Sequence, residues 1–411
     1  MKFAVIGFGA RGILYAESFL KHVNTEITAI CDTSPERLKL AKKMYNLPDG
    51  NLFLSSEDFF SAGKLADLCV VSTQDRFHLT HSIAALNKDY DLLLEKPIAT
   101  TEADCDTILK AAQKLKRKIF VCHVLRYAPF FRIIKTELDS GNYGKPATIN
   151  LTENVAYWHQ AHSYVRGNHS DTKKSSPMII AKSCHDLDII AWLVGTQCKA
   201  VSSMGSLGYY KRENAPEGSG ERCLDCSVKT DCPYDAERFY IKERAEKGNF
   251  RWPVDVLATE PTIEKLYAAL KNGPWGRCVY KCENDAVDRQ IVNMEFINGI
   301  TAHLTMTAFS KNCYRSIHVH CEKGEIYGNM NENTLYCNIF GLSSKNIDVA
   351  VLEDKLVGHG GGDDRFISDI VNNFNGKPSF GLTSIELSMM SHKIGFCAER
   401  SRLKGGEKIN L

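Results

Sequence analysis

The chain has 411 residues, of which 44% are hydrophobic, and a formal net charge of +2 from 51 basic and 49 acidic residues. This length usually corresponds to two domains, or to one domain with a large insertion. Nothing in the balanced charge suggests a nucleic acid or a membrane surface as the main partner. No apolar run is long enough to span a membrane, and the first predicted strand leaves no room for a signal peptide. We therefore expect a cytoplasmic protein whose fifteen cysteines are mostly reduced.

The amino-terminal stretch predicts a dinucleotide-binding turn. Residues 2–6 form an apolar run of strand length, and a helical pattern begins shortly after it. Between them lies a GxGxxG sequence made of Gly7, Phe8, Gly9, Ala10, Arg11 and Gly12. Such glycines permit a tight turn and let the backbone approach a pyrophosphate, which binds free N–H groups at the helix start. The strand–turn–helix context favours this interpretation over a purely structural turn.

The second predicted strand, residues 26–31, ends just before Asp32. This aspartate lies about twenty residues after the last glycine of the turn, where dinucleotide-binding proteins place the acid that binds the adenosine ribose. Its negative charge would repel a 2′-phosphate, so NAD is the predicted cofactor. Arg37 follows on the next predicted helix, and it leaves NADP open as an alternative.

Two further strand ends supply candidate residues to the same edge of the predicted parallel sheet, where ligands of such sheets bind. Ser72 and Thr73 follow the predicted strand 65–71, and His78 begins the next helix. That histidine either approaches the cofactor or only caps the helix. The candidate cofactor-binding residues are Gly7, Phe8, Gly9, Ala10, Arg11, Gly12, Asp32, Arg37, Ser72, Thr73, His78, Glu95 and Lys96.

The strand 91–94 leads directly into Glu95, Lys96 and Pro97. A lysine at the end of a buried strand is held close to any bound nicotinamide. Burial or the positive charge of that ring favours the neutral amine, which suits Lys96 to exchange a proton with a substrate hydroxyl. An ordinary ion pair between neighbouring Glu and Lys residues is the alternative interpretation.

These features together resemble a known family. The GxGxxG turn, the Glu95-Lys96-Pro97 tripeptide and the strand leading to Arg126-Tyr127 are similar to those of the Gfo/Idh/MocA oxidoreductases, the relatives of glucose–fructose oxidoreductase and inositol dehydrogenase. The resemblance implies an α/β protein with an amino-terminal Rossmann domain and a carboxyl-terminal α+β domain built on a large, mostly antiparallel sheet. It also implies a nicotinamide cofactor and a sugar, cyclitol or glycoside substrate. We assign residues 1–123 and 124–411 to the two domains.

The second domain contains a segment, residues 157–167, that is dense in aromatic, histidine and arginine residues. Aromatic faces stack on sugar rings, and imidazole and guanidinium groups bind sugar hydroxyls. A loop packed on the domain surface is an equally good interpretation. The candidate substrate-binding residues are Arg126, Trp158, His159, His162, Arg166 and Asp188.

Residues 178–195 predict one apolar helix, with Lys182, His185 and Asp188 along one stripe. By composition alone, a single histidine here is usually a satisfied core residue. The segment nevertheless resembles the second active-site motif of the family, in which the histidine follows an aspartate four positions earlier. Ala181 occupies that position, which suggests a variant proton relay. We predict Lys96 and His185 as the acid/base pair, with Lys182 orienting the substrate or adjusting their proton affinity.

A composition shift at about 205–285 predicts a cysteine-rich insertion. Cys223, Cys226, Cys232 and Cys278, with Cys282 as an alternate ligand, would provide the four thiolates of a structural zinc site. Buried free thiols are the alternative, since the spacing is irregular.

The rest of the chain predicts antiparallel strands with a hairpin at Asn298-Gly299, followed by helices at 366–374 and 384–402. The glycine-rich stretch 358–363 is either a phosphate or sugar loop or a hinge. The exposed face of the large sheet is a plausible surface for a homodimer or homotetramer.

The sequence thus predicts an NAD(P)-dependent oxidoreductase that transfers hydride between nicotinamide and a secondary alcohol or ketone of a sugar, cyclitol or glycoside. Two alternatives stay open. One is redox-neutral glycoside cleavage through a 3-keto sugar, and the other is a non-catalytic, cofactor-binding sensor.

Overall fold

This computed structural model describes residues 1–352 and 357–411. Its amino-terminal part is a six-stranded parallel sheet in the order β3-β2-β1-β4-β5-β6. Its strands are β1 (Lys2–Ile6), β2 (Glu26–Cys31), β3 (Leu52–Phe53), β4 (Leu68–Val71), β5 (Asp91–Leu94) and β6 (Ile119–Val121). The accompanying helices are α1 (Ala10–Leu20), α2 (Pro35–Tyr45), α3 (Ser56–Ser61), α4 (His78–Asn87) and α5 (Glu102–Leu115). The strands are almost wholly apolar because helices cover both faces of a parallel sheet.

The second sheet has nine strands in the order β14-β13-β12-β11-β7-β10-β9-β8-β15. They are β7 (Pro146–Ala156), β8 (Cys198–Ser206), β9 (Arg289–Phe296), β10 (Thr301–Ser310), β11 (Tyr314–Cys321), β12 (Gly324–Asn329), β13 (Thr334–Ile339), β14 (Lys345–Asp348) and β15 (Ile409–Asn410). Strands β7 and β10 pair in parallel, and the other pairings are antiparallel. Buried and half-exposed residues alternate along β9, β10 and β11, so one sheet face is covered and the other is open.

The remaining helices are α6 (Pro129–Asp139), α7 (Tyr157–His159), α8 (Met178–Ala181), α9 (Cys184–Val194), α10 (Ile263–Asn272), α11 (Val349–Leu352), α12 (Val357–Phe374) and α13 (Ile385–Leu403). Apolar residues of α9 and α13 pack against the covered sheet face in one continuous core. Shorter helical turns include Asp75–Phe77, Val124–Tyr127 and Gln160–Val165. Among the described residues, no helix has the length and apolar character that crossing a membrane requires.

The predicted architecture is confirmed: a Rossmann-like domain precedes an α/β domain with a mostly antiparallel sheet. Local signals account for this success. Ser34 caps α2 by accepting a hydrogen bond from the Arg37 N–H, as its position before Pro35 predicts. At the Asn298-Gly299 turn, the φ of +85° at Gly299 lets β9 and β10 form the expected hairpin.

The prediction of one helix over residues 178–195 is wrong, because Lys182 and Ser183 separate α8 from α9. Lys182 therefore does not continue the stripe that carries His185. The side chain of Lys182 is drawn instead to Glu153 on β7, where the two charged atoms are 3.1 Å apart. The break also leaves the carbonyl of Ala181 at a helix end, outside the continuous helical hydrogen-bond ladder.

The glycine-rich stretch 358–363 lies within α12, which begins at Val357, but its backbone is irregular, with positive φ values of 43°, 64° and 84° at His359, Gly360 and Gly361. A Cβ added at Gly362 would lie 2.2 Å from the carbonyl oxygen of Val124. Glycine is thus needed where α12 approaches the Val124–Tyr127 turn. The stretch serves close packing between two parts of the chain.

The segment between β8 and β9, predicted to contain an insertion, joins two strands that pair directly with each other. It has small apolar clusters of its own, one of which contains Phe239, Tyr240, Leu266 and Leu270. The segment therefore has its own packing and does not contribute a strand to the large sheet.

Candidate active site

The amino-terminal turn is built so that only glycine fits at two of its positions. Gly7 has a φ of +90°, and a Cβ there would lie 2.7 Å from the carbonyl carbon of Ser72. A Cβ at Gly12 would lie 2.1 Å from the carbonyl oxygen of Gly7. Ser72 closes the turn by donating a hydrogen bond from its hydroxyl to Gly7, at 2.8 Å. The backbone of the turn is therefore fixed tightly against the end of β4.

The residues around this turn fit a dinucleotide. No side chain caps the amino-terminal end of α1 at Gly9, so the N–H groups of its first turn are left for a ligand. The carboxylate of Asp32 is held beside the turn by the N–H groups of Phe8 and Ser34, at 2.8 and 2.9 Å. Each carboxylate oxygen can accept more than one hydrogen bond, so Asp32 can still bind ribose hydroxyls.

Arg37 lies next to this carboxylate. Its guanidinium donates to the carbonyl oxygen of Phe8 at 2.9 Å, and a Cβ at Gly9 would lie 2.9 Å from the same nitrogen. The side chain thus covers the turn at the end of the site where an adenosine would bind.

Arg11 and Glu95, both predicted to bind the cofactor, are occupied by each other. They form an ion pair at 2.6 Å, and Arg11 also pairs with Asp363 of α12 at 2.8 Å. The hydroxyl of Tyr15 donates to Glu95 at 2.5 Å and accepts from Arg11. We call Arg11, Tyr15, Glu95 and Asp363 the Arg11 cluster. Burial works to raise the pKa of Glu95, but the charges of Arg11 and Lys96, together with the hydrogen bonds from Tyr15 and Arg11, outweigh it and lower that pKa.

His78 is also unsuited to contact a cofactor directly. Its ring is fully buried, with one nitrogen 2.7 Å from the Pro97 carbonyl oxygen and the other 3.1 Å from that of Thr73. The hydroxyl of Thr73 lies 3.1 Å from the Nδ1 of His81. His78 therefore braces the turn after Lys96 against the end of β4.

Lys96 extends from the Rossmann sheet towards the second domain. Its Nζ donates a hydrogen bond of 2.7 Å to the carbonyl oxygen of Ala181, the last residue of α8. This carbonyl is exposed by the break between α8 and α9. The break thus positions the lysine amine close to the start of the helix that carries His185.

His185 is 3% exposed, and its Nδ1 has no hydrogen-bond partner among the described residues. Burial, followed by the positive charge of Lys96, holds the pKa of His185 well below its usual range. The imidazole is therefore neutral at pH 7 and able to accept a proton. The ring of His359 lies 5.4 Å from it, and that of His123 lies 5.7 Å away on another side.

Lys182 belongs to a second buried group of charges, which we call the Arg315 cluster. Its members are Glu153, Lys182, Asp186 and Arg315. Arg315 pairs with Asp186 at 2.5 Å and with Glu153 at 2.7 Å, while Lys182 pairs with Glu153 at 3.1 Å. Burial and the nearby Glu153 raise the pKa of Asp186, to about 7, against the opposing effect of Arg315. The Oδ2 atom of Asp186 has no hydrogen-bond partner among the described residues.

Of the predicted substrate-binding residues, His159 feels the charges of both Lys182 and Lys96. Burial, followed by the charge of Lys182, holds its pKa well below the usual range, and Lys96 contributes in the same direction. Its ring lies 5.1 Å from that of Trp252, whose side chain is 42% exposed. An exposed aromatic ring thus lies beside His159, at the edge of the candidate site.

The other predicted substrate-binding residues hold the protein together. Arg126 and Asp188 form a buried, two-bond ion pair, with both bonds at 2.7 Å. The ring nitrogen of His162 is hydrogen-bonded to the hydroxyl of Tyr240 at 2.7 Å, and burial lowers the pKa of His162 to about 3. Because these polar groups are already satisfied internally, the predictions for Arg126, Asp188 and His162 are not supported.

Arg166 and Trp158 also have partners inside the second domain. Arg166 donates to the carbonyl oxygens of Arg277 and Tyr234, at 2.7 and 2.8 Å. The half-buried ring of Trp158 packs 5.4 Å from Phe239. Both side chains therefore stabilise the contact between residues 157–167 and the long connection from β8 to β9.

The predicted zinc site is not supported. Within 1–352 and 357–411, no three of the cysteine sulfurs of the insertion lie within 4.8 Å of one another. The thiols in question are Cys223, Cys226, Cys232, Cys278 and Cys282. Four of them line one small cavity, but the Arg166 guanidinium lies 3.2 Å from the Cys223 sulfur and Cys282 donates to the Cys278 carbonyl. The alternative of free thiols describes them better.

Sequence reasoning missed two groups beside Lys96. Asp75 and His169 are 3.9 Å apart, and Asp75 Oδ2 and His169 Nδ1 are buried without hydrogen-bond partners among the described residues. The ring of Tyr164 lies 5.5 Å from that of His169. The position of Asp75 after β4, at the ligand-binding edge of the sheet, was a usable signal. His169 comes from the second domain, and nothing in its local sequence distinguishes it.

The comparisons with known proteins agree with this geometry. Residues 1–123 match the Gfo/Idh/MocA description "Oxidoreductase family, NAD-binding Rossmann fold", and residues 135–394 match "Oxidoreductase family, C-terminal alpha/beta domain". The WlbA dehydrogenase from Bordetella pertussis, solved in complex with NADH and UDP-GlcNAcA, has the same fold. The TM-score is 0.71 with 16% sequence identity, over 100% of this chain and 97% of that one.

Two relatives are similar along the sequence. YteT of Bacillus subtilis (strain 168), which carries only the general designation of oxidoreductase, is 27% identical over 378 residues, or 86% of this chain and 83% of YteT. Inositol 2-dehydrogenase of Salmonella typhimurium is 25% identical over 208 residues, or 49% of this chain and 56% of that enzyme. The chain therefore belongs to the Gfo/Idh/MocA family and is an NAD-binding oxidoreductase, a dehydrogenase acting on CH–OH groups.

Proposed function

We propose that this dehydrogenase oxidises a secondary alcohol of a sugar, cyclitol or glycoside, with Lys96 and His185 as the acid/base pair. The observation that carries the proposal is the convergence of these two residues. Lys96 reaches across from the Rossmann sheet to the carbonyl of Ala181, and His185 is the second residue of the helix that follows. An imidazole whose Nδ1 has no hydrogen-bond partner among the described residues, beside a lysine amine, has a ring nitrogen available to exchange a proton with a substrate hydroxyl.

The cofactor site supports NAD as the preferred dinucleotide. The first turn of α1 would hold the pyrophosphate, and Asp32 would bind the adenosine ribose hydroxyls and disfavour a 2′-phosphate. NADP stays a weaker alternative because Arg37 lies beside Asp32. When bound, NAD supplies the hydride acceptor of the reaction.

The protein's own residues have separable tasks. Lys96 and His185 hold and move the hydroxyl proton, and Lys182 and His159 orient the substrate from the second domain. The exposed ring of Trp252 offers a face on which a sugar or cyclitol ring stacks. Similarity to an inositol 2-dehydrogenase and to a dehydrogenase crystallised with a sugar nucleotide supports this substrate class. We place the protein in the cytoplasm as a homodimer or homotetramer.

A substrate panel tests the proposal. Purified protein is incubated with inositols, sugars and glycosides, each with NAD and with NADP, and cofactor reduction is followed by absorbance. We expect turnover of at least one polyol, with NAD preferred by about tenfold or more, which corresponds to 1.4 kcal/mol. Release of an aglycone without net NADH would instead favour redox-neutral glycoside cleavage. Turnover of nothing in the panel, with cofactor still bound, would favour a sensor.

The acid/base assignment is tested by substituting the lysine. Lys96→Ala should lower kcat by about 10²–10⁴-fold, the usual contribution of a positioned acid or base. Lys39→Ala on the exposed face of α2 is the matched control and should leave kcat unchanged. Circular dichroism and cofactor binding check that both variants fold. A Lys96→Ala variant with wild-type kcat would contradict the mechanism.

A further inference from the structure

The open face of the large sheet carries two histidines and a glutamate that point to the same spot. His318 and His320 are two residues apart on β11, so their side chains leave the same side of the strand. Their neighbours Ile317 and Val319 are buried on the opposite side. Glu325 lies directly across from His320 on β12.

The distances between these side chains suit a bound metal ion. The Oε2 of Glu325 is 2.9 Å from the Nε2 of His318 and 3.9 Å from the Nδ1 of His320. The two imidazole rings are 3.8 Å apart. Tetrahedral zinc with bonds of about 2.0–2.1 Å needs donor atoms roughly 3.3 Å from each other. The observed separations lie on either side of that value, so small side-chain rotations would complete the geometry.

The carboxylate is already oriented for this purpose. The Nδ2 of Asn338, on β13, donates to the Oε1 of Glu325 at 3.1 Å and leaves Oε2 directed at the histidines. Such outer partners fix the ligands of many metal sites. The three side chains are 29–43% exposed, which leaves room for water as a fourth ligand.

We propose that His318, His320 and Glu325 bind one Zn²⁺ ion per chain. Two imidazoles and one carboxylate favour zinc and its neighbours in the transition series over Mg²⁺ or Ca²⁺, which prefer oxygen ligands. In the part of the chain that the structure describes, these residues are the one set of three or more His, Cys, Asp or Glu side chains whose donor atoms all lie within 4.8 Å of one another. The site lies on the opposite sheet face from Arg315, so it is separate from the candidate active site and independent of the proposed function.

The test uses full-length protein without a histidine tag, stripped with EDTA and titrated with Zn²⁺ in a calorimeter. We expect saturable binding of one ion per chain. The double variant His318→Gln/His320→Gln should weaken that binding at least a hundredfold, and Glu325→Gln at least tenfold. Asn338→Ala removes only the outer hydrogen bond and should weaken it about tenfold.

His303→Gln provides the matched control. His303 lies on the same sheet face, on β10. Its Nδ1 is 2.8 Å from the Oδ1 of Asn293, and its Nε2 is 2.8 Å from the hydroxyl of Thr305. The residue across from it on β9 is Asn293, which is not a carboxylate. This variant should bind Zn²⁺ like the wild type. Absence of saturable binding, or equal binding by the double variant and the control, would overturn the proposal. Strong thiolate charge-transfer absorption with Co²⁺ would also overturn it, by locating the ion on cysteines.

Discussion

Two charge clusters flank Lys96 and His185, and they differ in how many of their carboxylate oxygens have hydrogen-bond partners. In the Arg11 cluster, every carboxylate oxygen of Glu95 and Asp363 has a hydrogen-bond partner. In the Arg315 cluster, Glu153 is held by ion pairs without aligned hydrogen bonds, and one oxygen of Asp186 has no partner among the described residues. Satisfied buried networks are rigid, whereas incompletely satisfied ones keep the capacity to bind a ligand or a proton.

The comparison assigns different tasks to the two sides of the site. The Arg11 cluster fixes the cofactor turn to α12, and each carboxylate oxygen in it already has a partner. The Arg315 cluster, on the second domain, has an unpartnered carboxyl oxygen close to the candidate substrate region. Three experiments test this difference. The first two compare the clusters at one pH, with the larger expected effect first, and the third varies the pH.

The largest effect is expected for Arg11→Met. The substitution removes the one guanidinium that pairs with both Glu95 and Asp363, and it leaves two buried carboxylates with reduced compensation. Breaking a buried ion pair in this way costs about 3–5 kcal/mol of the free energy of unfolding. Chemical denaturation of the variant and the wild type measures it. A loss below about 1 kcal/mol would show that the cluster is not the rigid element described above.

Arg315→Met should cost less. Lys182 still compensates Glu153, and Asp186, whose pKa is already raised to about 7, can take up a proton. At neutral pH this protonation costs at most about 1.4 kcal/mol, the equivalent of one pH unit. The same denaturation experiment gives the comparison. If Arg315→Met destabilises the protein as much as Arg11→Met does, the two clusters do not differ in the way proposed.

The third experiment measures how the free energy of unfolding changes with pH. Between about pH 4 and 7 the folded protein keeps a proton on Asp186 that the unfolded chain releases, so the free energy of unfolding contributed by this group falls as the pH rises. The slope is at most about 1.4 kcal/mol per pH unit. Asp186→Asn should remove it, seen as the difference between two stability–pH curves. Parallel curves for wild type and variant across this range would contradict the assignment.

Features that depend on neighbours in the sequence were predictable. The cofactor turn, the cap of α2 and the β9–β10 hairpin each follow from residues a few positions apart. The fold class follows from the alternation of such elements. The position of Lys96 at the end of β5 was likewise visible, because the apolar strand and the following proline mark its end.

The sequence-based predictions that failed concern polar residues whose hydrogen-bond or ion-pair partners are distant in the chain. The ion pair between Arg126 and Asp188 joins residues 62 positions apart in the chain. The ion pair between Arg11 and Asp363 joins residues 352 positions apart. The break at Lys182 depends on Glu153 across the domain, and no local pattern indicates it. Polar residues look available in a sequence until their tertiary partners are known, which is why five of the six substrate candidates turn out to have partners inside the protein.

The contact between Arg11 and Asp363 has a practical consequence for protein engineering. Cofactor preference is often altered by exchanging whole nucleotide-binding domains between relatives. Here the amino-terminal turn takes one of its anchoring carboxylates from α12, close to the other end of the chain. A chimera that joins this first domain to a foreign second domain must therefore also keep the matching α12, or the half-buried Arg11 guanidinium will lose the Asp363 carboxylate that it pairs with here.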